Sequence, residues 1–321
     1  MKKLDFAIGA NDAGQRADKF LLKAMRNLPP SLLYKTFRRR DVKLNGKRIP
    51  AETFLQAGDA LCIFLPDDLA VPEKKPAAAD GLPMPEIVYE DAQIVIMKKP
   101  VNLPVHADDK GARDTMAARF LAYLTQTGAY DAAREQSFSP ALCNRLDRNT
   151  EGFVIGAKTA AALRTMNEKI RLGEVQKEYL CITAGIPPKP EDTVTAYHRR
   201  LAGQNAEYSA VPREGFREMR TGYRVIAQKD GLALVHIRLY TGRTHQIRLQ
   251  MAALGCPVLG DGKYGNPAVN RKYHASHQLL AACMLSFPFS AEETVLDALR
   301  GRHFSYTPEF RQFVIALKVE N

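Results

Sequence analysis

No run of about eighteen apolar residues, the length a helix needs to cross a bilayer, occurs in the 321-residue chain. The opening MKKLDFAIGANDAGQR also lacks the apolar segment of a secretory signal. A soluble, cytoplasmic protein is therefore expected, with no membrane partner. The five cysteines, Cys62, Cys143, Cys181, Cys256 and Cys283, are odd in number, far apart and without a CxxC pair. That spacing argues against a disulfide framework and against structural zinc. His274 and His277 in YHASHQ have no cysteine or carboxylate beside them, so they form a weak ligand pair and no metal is expected. Neither GxGxxG nor GxxxxGKS is present and no segment repeats, which leaves a nucleotide cofactor without support.

Positive charge is abundant. The formal net charge is +11 and the isoelectric point about 9.4, a balance that favours a polyanionic partner. Nucleic acid is the commonest such partner, and an anionic membrane surface is the alternative. A chain of this length points to two cores.

Turn and period signals divide the chain into residues 1–65, a linker over 66–85 and a larger unit over 86–321. In RADKFLLKAM, Phe20, Leu21 and Met25 fall at helical spacing, and Pro30 and Ser31 open a second helix in PSLLYKTFRRR. DVKLNGKRI predicts a hairpin about Asn45-Gly46, and GDALCIFLP a closing strand. PDDLAVPEKKPAAADGLPMP is rich in proline and alanine and has no period. Beyond it, short alternating strands dominate: EIVYEDAQIVIMKKP, FVIGAKT, KEYLCITAG and YRVIAQKDGLALVHIRLY, with Thr159 placed to cap the helix TAAALRTMNEKIR. Strands broken by a few helices predict an α+β unit with a mixed, largely antiparallel sheet.

Lys35, Arg38, Arg39, Arg40, Lys43, Lys47 and Arg48 crowd the end of the second helix and the hairpin after it. They form either a solvated face or a surface that neutralises several phosphates, and the second reading predicts a steep salt dependence of binding. RADKFL, RRRDVKLNGKRI and AGDAL resemble the alpha-L RNA-binding motif, which implies RNA binding and no chemistry of its own.

In NRLDRNTEGFVIGAKT, Asp147 stands between two arginines directly before a turn. Taken alone it is a turn residue, Tyr179 in KEYL a core residue and Arg248 in THQIR a surface residue of a helix. The helix after Tyr240 is expected to bury Ile247, Met251 and Leu254 and to end at Gly255, leaving His245 and Arg248 on a face free to point into a cleft. Together an acid, a tyrosine and an arginine from separate elements can do chemistry. A guanidinium fork keeps a partly buried carboxylate ionised, and a tyrosine can stack on a base.

NRLDRNTEG, KEYL, TGRTHQIRLQM with GCPVLGDGKYG, and LLAACMLSFPF together resemble the RluA-like pseudouridine synthases over nearly all of 86–321. The resemblance implies a sheet domain with flanking helices and a central cleft, behind a small alpha-L domain. It implies that Asp147 is the essential aspartate, that Tyr179 packs on the target base and that Arg248 pairs with the acid. Arg145 would help displace the nucleotide, and Lys177, Arg243 and His245 would contact RNA. Asn144 departs from the pattern, since many members carry histidine there. The implied reaction converts uridine to pseudouridine without cofactor or metal, in ribosomal RNA of the large subunit or, second, in transfer RNA. The protein would act as a monomer. A catalytically silent RNA-binding assembly factor is the alternative.

Overall fold

The computed structural model describes residues 1–25, 27–67, 81–107, 111–199 and 206–310. Most of the expected linker, 68–80, and the end of the expected larger unit, 311–321, lie outside these residues.

Near the N-terminus a four-stranded sheet, in the order Lys2–Ala7, Ala60–Leu65, Val42–Leu44, Lys47–Arg48, carries the helices Ala17–Ala24 and Pro30–Arg38. Proline at the first helical position starts the second helix, where its missing N–H costs nothing. Asn45 and Gly46 take φ values of 50° and 79°, the left-handed pair that a two-residue hairpin requires. Phe20, Leu21, Leu33, Val42, Leu61 and Ile63 fill a core of their own. The strand Lys2–Ala7 was not expected. Among the described residues it pairs only with Ala60–Leu65, and its charges suit an edge. Asp12 ties this part to the rest of the molecule by accepting from the amide and hydroxyl of Ser137 at 3.1 and 2.6 Å.

Among the described residues a second sheet has eleven strands. Its order is Glu207–Ser209, Glu191–Arg199, Arg217–Lys229, Leu232–Leu239, Gln176–Ala184, Leu280–Ser286, Glu151–Ala157, Ile94–Lys99, Glu86–Glu90, and two short strands pair at its sides. All its pairings are antiparallel except that of Leu280–Ser286 with Glu151–Ala157. At that parallel seam Gly152 takes a φ of 127°, and a Cβ there would stand 2.2 Å from the carbonyl oxygen of Ala282. Only glycine fits so close an approach. Helix Met116–Gln126 is capped by Thr115 and helix Ala160–Arg171 by Thr159, each side chain accepting from the backbone three residues on. The core under the central strands holds Tyr179, Val235, Ile237, Ile247 and Met251.

The helix Gln246–Ala253 departs from the single buried stripe expected of it, because Gln246 through Met251 are all buried. Its polar side chains go inward with partners: Gln250 donates to the carbonyl of Val194 at 3.1 Å, and Gln246 donates to Thr221 Oγ1 at 2.8 Å. A buried polar group with its hydrogen bonds made is tolerated in a core, so the helix can sit inside the fold. No helix among the described residues is long and apolar enough to cross a membrane.

Candidate active site

Asp147 sits on the loop that enters strand Glu151–Ala157, and three clamps fix that loop. Asn144 acts as an extra rung of the sheet, its side chain donating to Phe153 O at 3.1 Å and accepting from Ile155 N at 2.8 Å. Gln278 reaches Thr150 Oγ1 at 3.2 Å. Lys99, fully buried, donates to the carbonyls of Pro100, Leu103 and Arg148 at 2.8, 2.8 and 2.9 Å. Burial pulls the Lys99 ammonium down to about 7, against the pull of Asp147 and Glu151. Three carbonyl acceptors match the three N–H bonds of its charged form. Asp147 is a turn residue as well, since its carbonyl accepts from Thr150 N at 3.1 Å.

The Asp147 carboxylate faces Arg248, whose Nη1 donates to Oδ2 at 2.8 Å. Arg248 turns the rest of its fork to Asp261, with Nε to Oδ2 at 2.7 Å and Nη2 to Oδ1 at 2.9 Å. Asp261 is 1% exposed and also accepts from the amides of Lys263 and Tyr264 at 2.8 and 3.0 Å. Burial would raise the Asp261 carboxyl, but Arg248 and those amides hold it below the usual range. Burial likewise opposes the charge on Arg248, and its bonds to Asp261 and Asp147 hold its pKa above the ordinary value. One guanidinium therefore joins an anchoring carboxylate to the one that faces the cleft.

His245 begins the helix in the left-handed region, φ 55°, and sets Nε2 3.9 Å from Asp147 Oδ1. Its Nδ1 meets the hydroxyl of Tyr264 at 2.9 Å. Burial lowers the pKa of His245, and Asp147 opposes that shift. Tyr179 is buried in the strand beneath; burial, then the nearby Asp147 charge, raises its phenol.

A cavity of about 490 Å³ opens over these groups, a size typical of small-ligand sites. It is lined by Asp147, Arg248, His245, Tyr179, Lys177, Arg243 and Arg145, with Leu239, Ile247 and Leu280 as apolar wall. Seven residues singled out in the sequence thus meet in one cleft. Arg145 is exposed at its mouth, burial lowers the pKa of Lys177, and Arg243 donates to Glu218 O at 3.1 Å. Lys35, Arg38, Arg39, Arg40, Lys43, Lys47 and Arg48 belong instead to the small sheet and its helix. Six of them are exposed, Lys43 is half-buried over Phe64, and none is ion-paired among the described residues. Asp261, Tyr264 and Lys99 have no role legible in the sequence, although the first two lie within GDGKYG. No group of three or more potential metal ligands occurs among the described residues.

Comparison with known proteins matches residues 93–253 to the family described as RNA pseudouridylate synthase. The ribosomal large subunit pseudouridine synthase C of Salmonella typhimurium is 32% identical over 266 residues, covering 81% of this chain and 79% of that relative. The protein of the same name from Escherichia coli K12 is 31% identical over 272 residues, 83% and 81% of the two chains. Among solved structures, human RNA pseudouridylate synthase domain containing 4 superposes with a TM-score of 0.55 at 21% identity. That superposition covers 72% of this chain and 92% of the human one, and it is a likeness of fold.

Proposed function

This chain belongs to the RNA pseudouridylate synthase family, and from that membership we propose that it isomerises uridines of large-subunit ribosomal RNA, with Asp147 as the acting group. The observation that carries the residue assignment is the Arg248 bridge, which aims a carboxylate into a cleft floored by Tyr179. The relatives named as ribosomal large subunit synthases support the choice of RNA.

In the reaction the bond from N1 of uracil to C1′ of ribose breaks and a bond from C5 to C1′ forms. The C5 proton leaves and N1 ends protonated, so nothing is oxidised and nothing is added. Asp147 either attacks C1′ or removes the proton from C2′ to give a glycal. In both routes the acid must be held in place, and the bond from Arg248 Nη1 to its Oδ2 supports that role. The detached uracil has to rotate without escaping. Tyr179, Leu239, Ile247 and Leu280 offer it an apolar wall. A stacked uridine must first leave its helix, at a cost of a few kcal/mol, and Arg145 at the cleft mouth is placed to fill the gap. The small N-terminal sheet acts as an alpha-L RNA-binding unit, its seven basic residues holding backbone phosphates.

The test is to express wild type and Asp147→Ala in a host deleted for the native gene and to map pseudouridines by carbodiimide-dependent primer-extension stops. Stops in large-subunit RNA that appear with wild type alone support the proposal. Stops confined to transfer RNA overturn the substrate, and stops retained by the mutant overturn the role of Asp147.

A further inference from the structure

Next to the cleft, one face of the large sheet is open. Side chains alternate along strands, so Arg220, Gly222 and Arg224 share a face with His236 and Arg238, opposite to Tyr179 and Ile237. Tyr240 follows the strand Leu232–Leu239 at the rim of the cleft and is 46% exposed. Its distal edge lies over the neighbouring strand: a Cβ on Gly222 would stand 3.3 Å from the ring's Cε2 and 3.4 Å from its hydroxyl. The guanidiniums of Arg220 and Arg238 lie 4.8 and 5.4 Å from the ring centroid.

Covering a strand glycine with an aromatic ring is a known packing device. Packing explains the ring's contact with Gly222 but not the two arginines gathered around it. Neither Arg220 nor Arg238 is in an ion pair among the described residues. Of the acids on this face, Glu178 accepts its hydrogen bond from His236 at 2.8 Å and stands in register with Arg238, Glu191 stands in register with Arg224, and Glu218 lies two residues before Arg220 without an ion pair to it among the described residues. An exposed ring flanked by two guanidiniums that form no close ion pair among the described residues complements a nucleotide, whose base presents a π-face and whose phosphate carries charge.

We propose that Tyr240, with Arg220 and Arg238, is a stacking subsite for an unpaired nucleobase flanking the target uridine, on the strand that runs out of the cleft. The inference rests on the reading of RNA as substrate. Arg220 and Arg238 take the adjoining phosphates, and the ring takes the base with little regard to its identity. Sheet surfaces bearing aromatics recognise single-stranded RNA in this way.

The experiment measures binding by the full chain carrying Asp147→Asn, with two RNAs of one sequence: one with the nucleotides beside the target unpaired, the other with them paired to a complementary oligonucleotide. Tyr240→Ala is expected to weaken binding of the unpaired RNA by roughly tenfold or more, several times its effect on the paired one. Tyr240→Phe keeps the π-face and should stay within about twofold of the parent. Arg220→Gln and Arg238→Gln, which spare the ring, should each flatten the salt dependence by about 0.7 log unit. Equal losses with both RNAs, or equal binding by the alanine and phenylalanine variants, would overturn the subsite. If the parent binds neither RNA and the wild type leaves both unmodified, the RNA-substrate reading fails with it. A parent that binds while Tyr240→Ala binds equally well removes only the subsite.

Discussion

The hydroxyl of Tyr264 meets Nδ1 of His245 at 2.9 Å, while the other imidazole nitrogen faces Asp147 Oδ1 at 3.9 Å. Both contacts are attractive in one tautomer, with the phenol donating to Nδ1 and an Nε2–H directed at the carboxylate. The other tautomer turns a lone pair on the acid. Burial lowers the pKa of His245 despite Asp147, so the neutral ring is the form present near pH 7. Tyr264→Phe should release this choice and lower kcat by about threefold to tenfold, on the order of 1 kcal/mol, with KM little changed. The ring-nitrogen shifts of His245 in ¹⁵N NMR report the tautomer directly, and identical shifts in the two proteins would rule the explanation out.

Arg248→Lys tests the bridge. An ammonium is a point charge and cannot serve Asp147 while gripping both oxygens of Asp261. Because Asp261 is buried, a poorly matched partner should destabilise the fold by about 3 kcal/mol. Turnover should fall at least about a hundredfold, as Asp147 loses its fixed position. Thermal unfolding and single-turnover assays separate the two effects, and a lysine variant that turns over normally would show that the fork geometry is dispensable.

Acid titration gives that anchor a signature. The carboxyl of Asp261 titrates near its ordinary 3.8 in the unfolded chain and lower in the folded one, where burial is outweighed by Arg248. Its contribution to stability is therefore complete above the unfolded value and disappears as pH falls through the depressed folded value. Asp261→Asn should melt well below wild type at pH 7, and the two melting temperatures should converge as the pH drops below about 4. A gap that stays constant with pH would mean that the loss comes from shape and not from charge.

The sequence was most legible where the chemistry is local. Asn45-Gly46 and Thr159 declared a hairpin and a cap because a turn and an N-cap depend on their own few residues. It was least legible where a residue's state is set by distant partners. Lys99, beside a proline, reads as a surface lysine, yet one of its three acceptors is Arg148, forty-nine positions on. Asp261 lies inside GDGKYG, but nothing near it in the sequence says that it holds Arg248. The helix of Gln246 and Gln250 misled for a similar reason. A single buried stripe of Ile247, Met251 and Leu254 was expected there, and Gln246 and Gln250 are inside as well because Thr221 and Val194 accept their hydrogen bonds. Asn144, which departs from the family pattern of histidine, forms two bonds to strand backbone, so the departure bears on how the Asp147 loop is held.

Lys99→Met tests whether that loop is held from below. Methionine keeps the length of the side chain but leaves the carbonyls of Pro100, Leu103 and Arg148 without their shared donor. Unsatisfied buried acceptors should cost about 2–4 kcal/mol in total. Because one of them belongs to Arg148, the damage should concentrate on the turn in which Thr150 N donates to Asp147 O at 3.1 Å. Hydrogen exchange at the Thr150 amide should quicken more than at amides of strand Gln176–Ala184, and kcat should fall at temperatures well below the melting point. If the melting temperature drops while Thr150 exchange and kcat stay as in wild type, Lys99 supports only the core, and Asp147 is positioned by Arg248 and Asn144 without it.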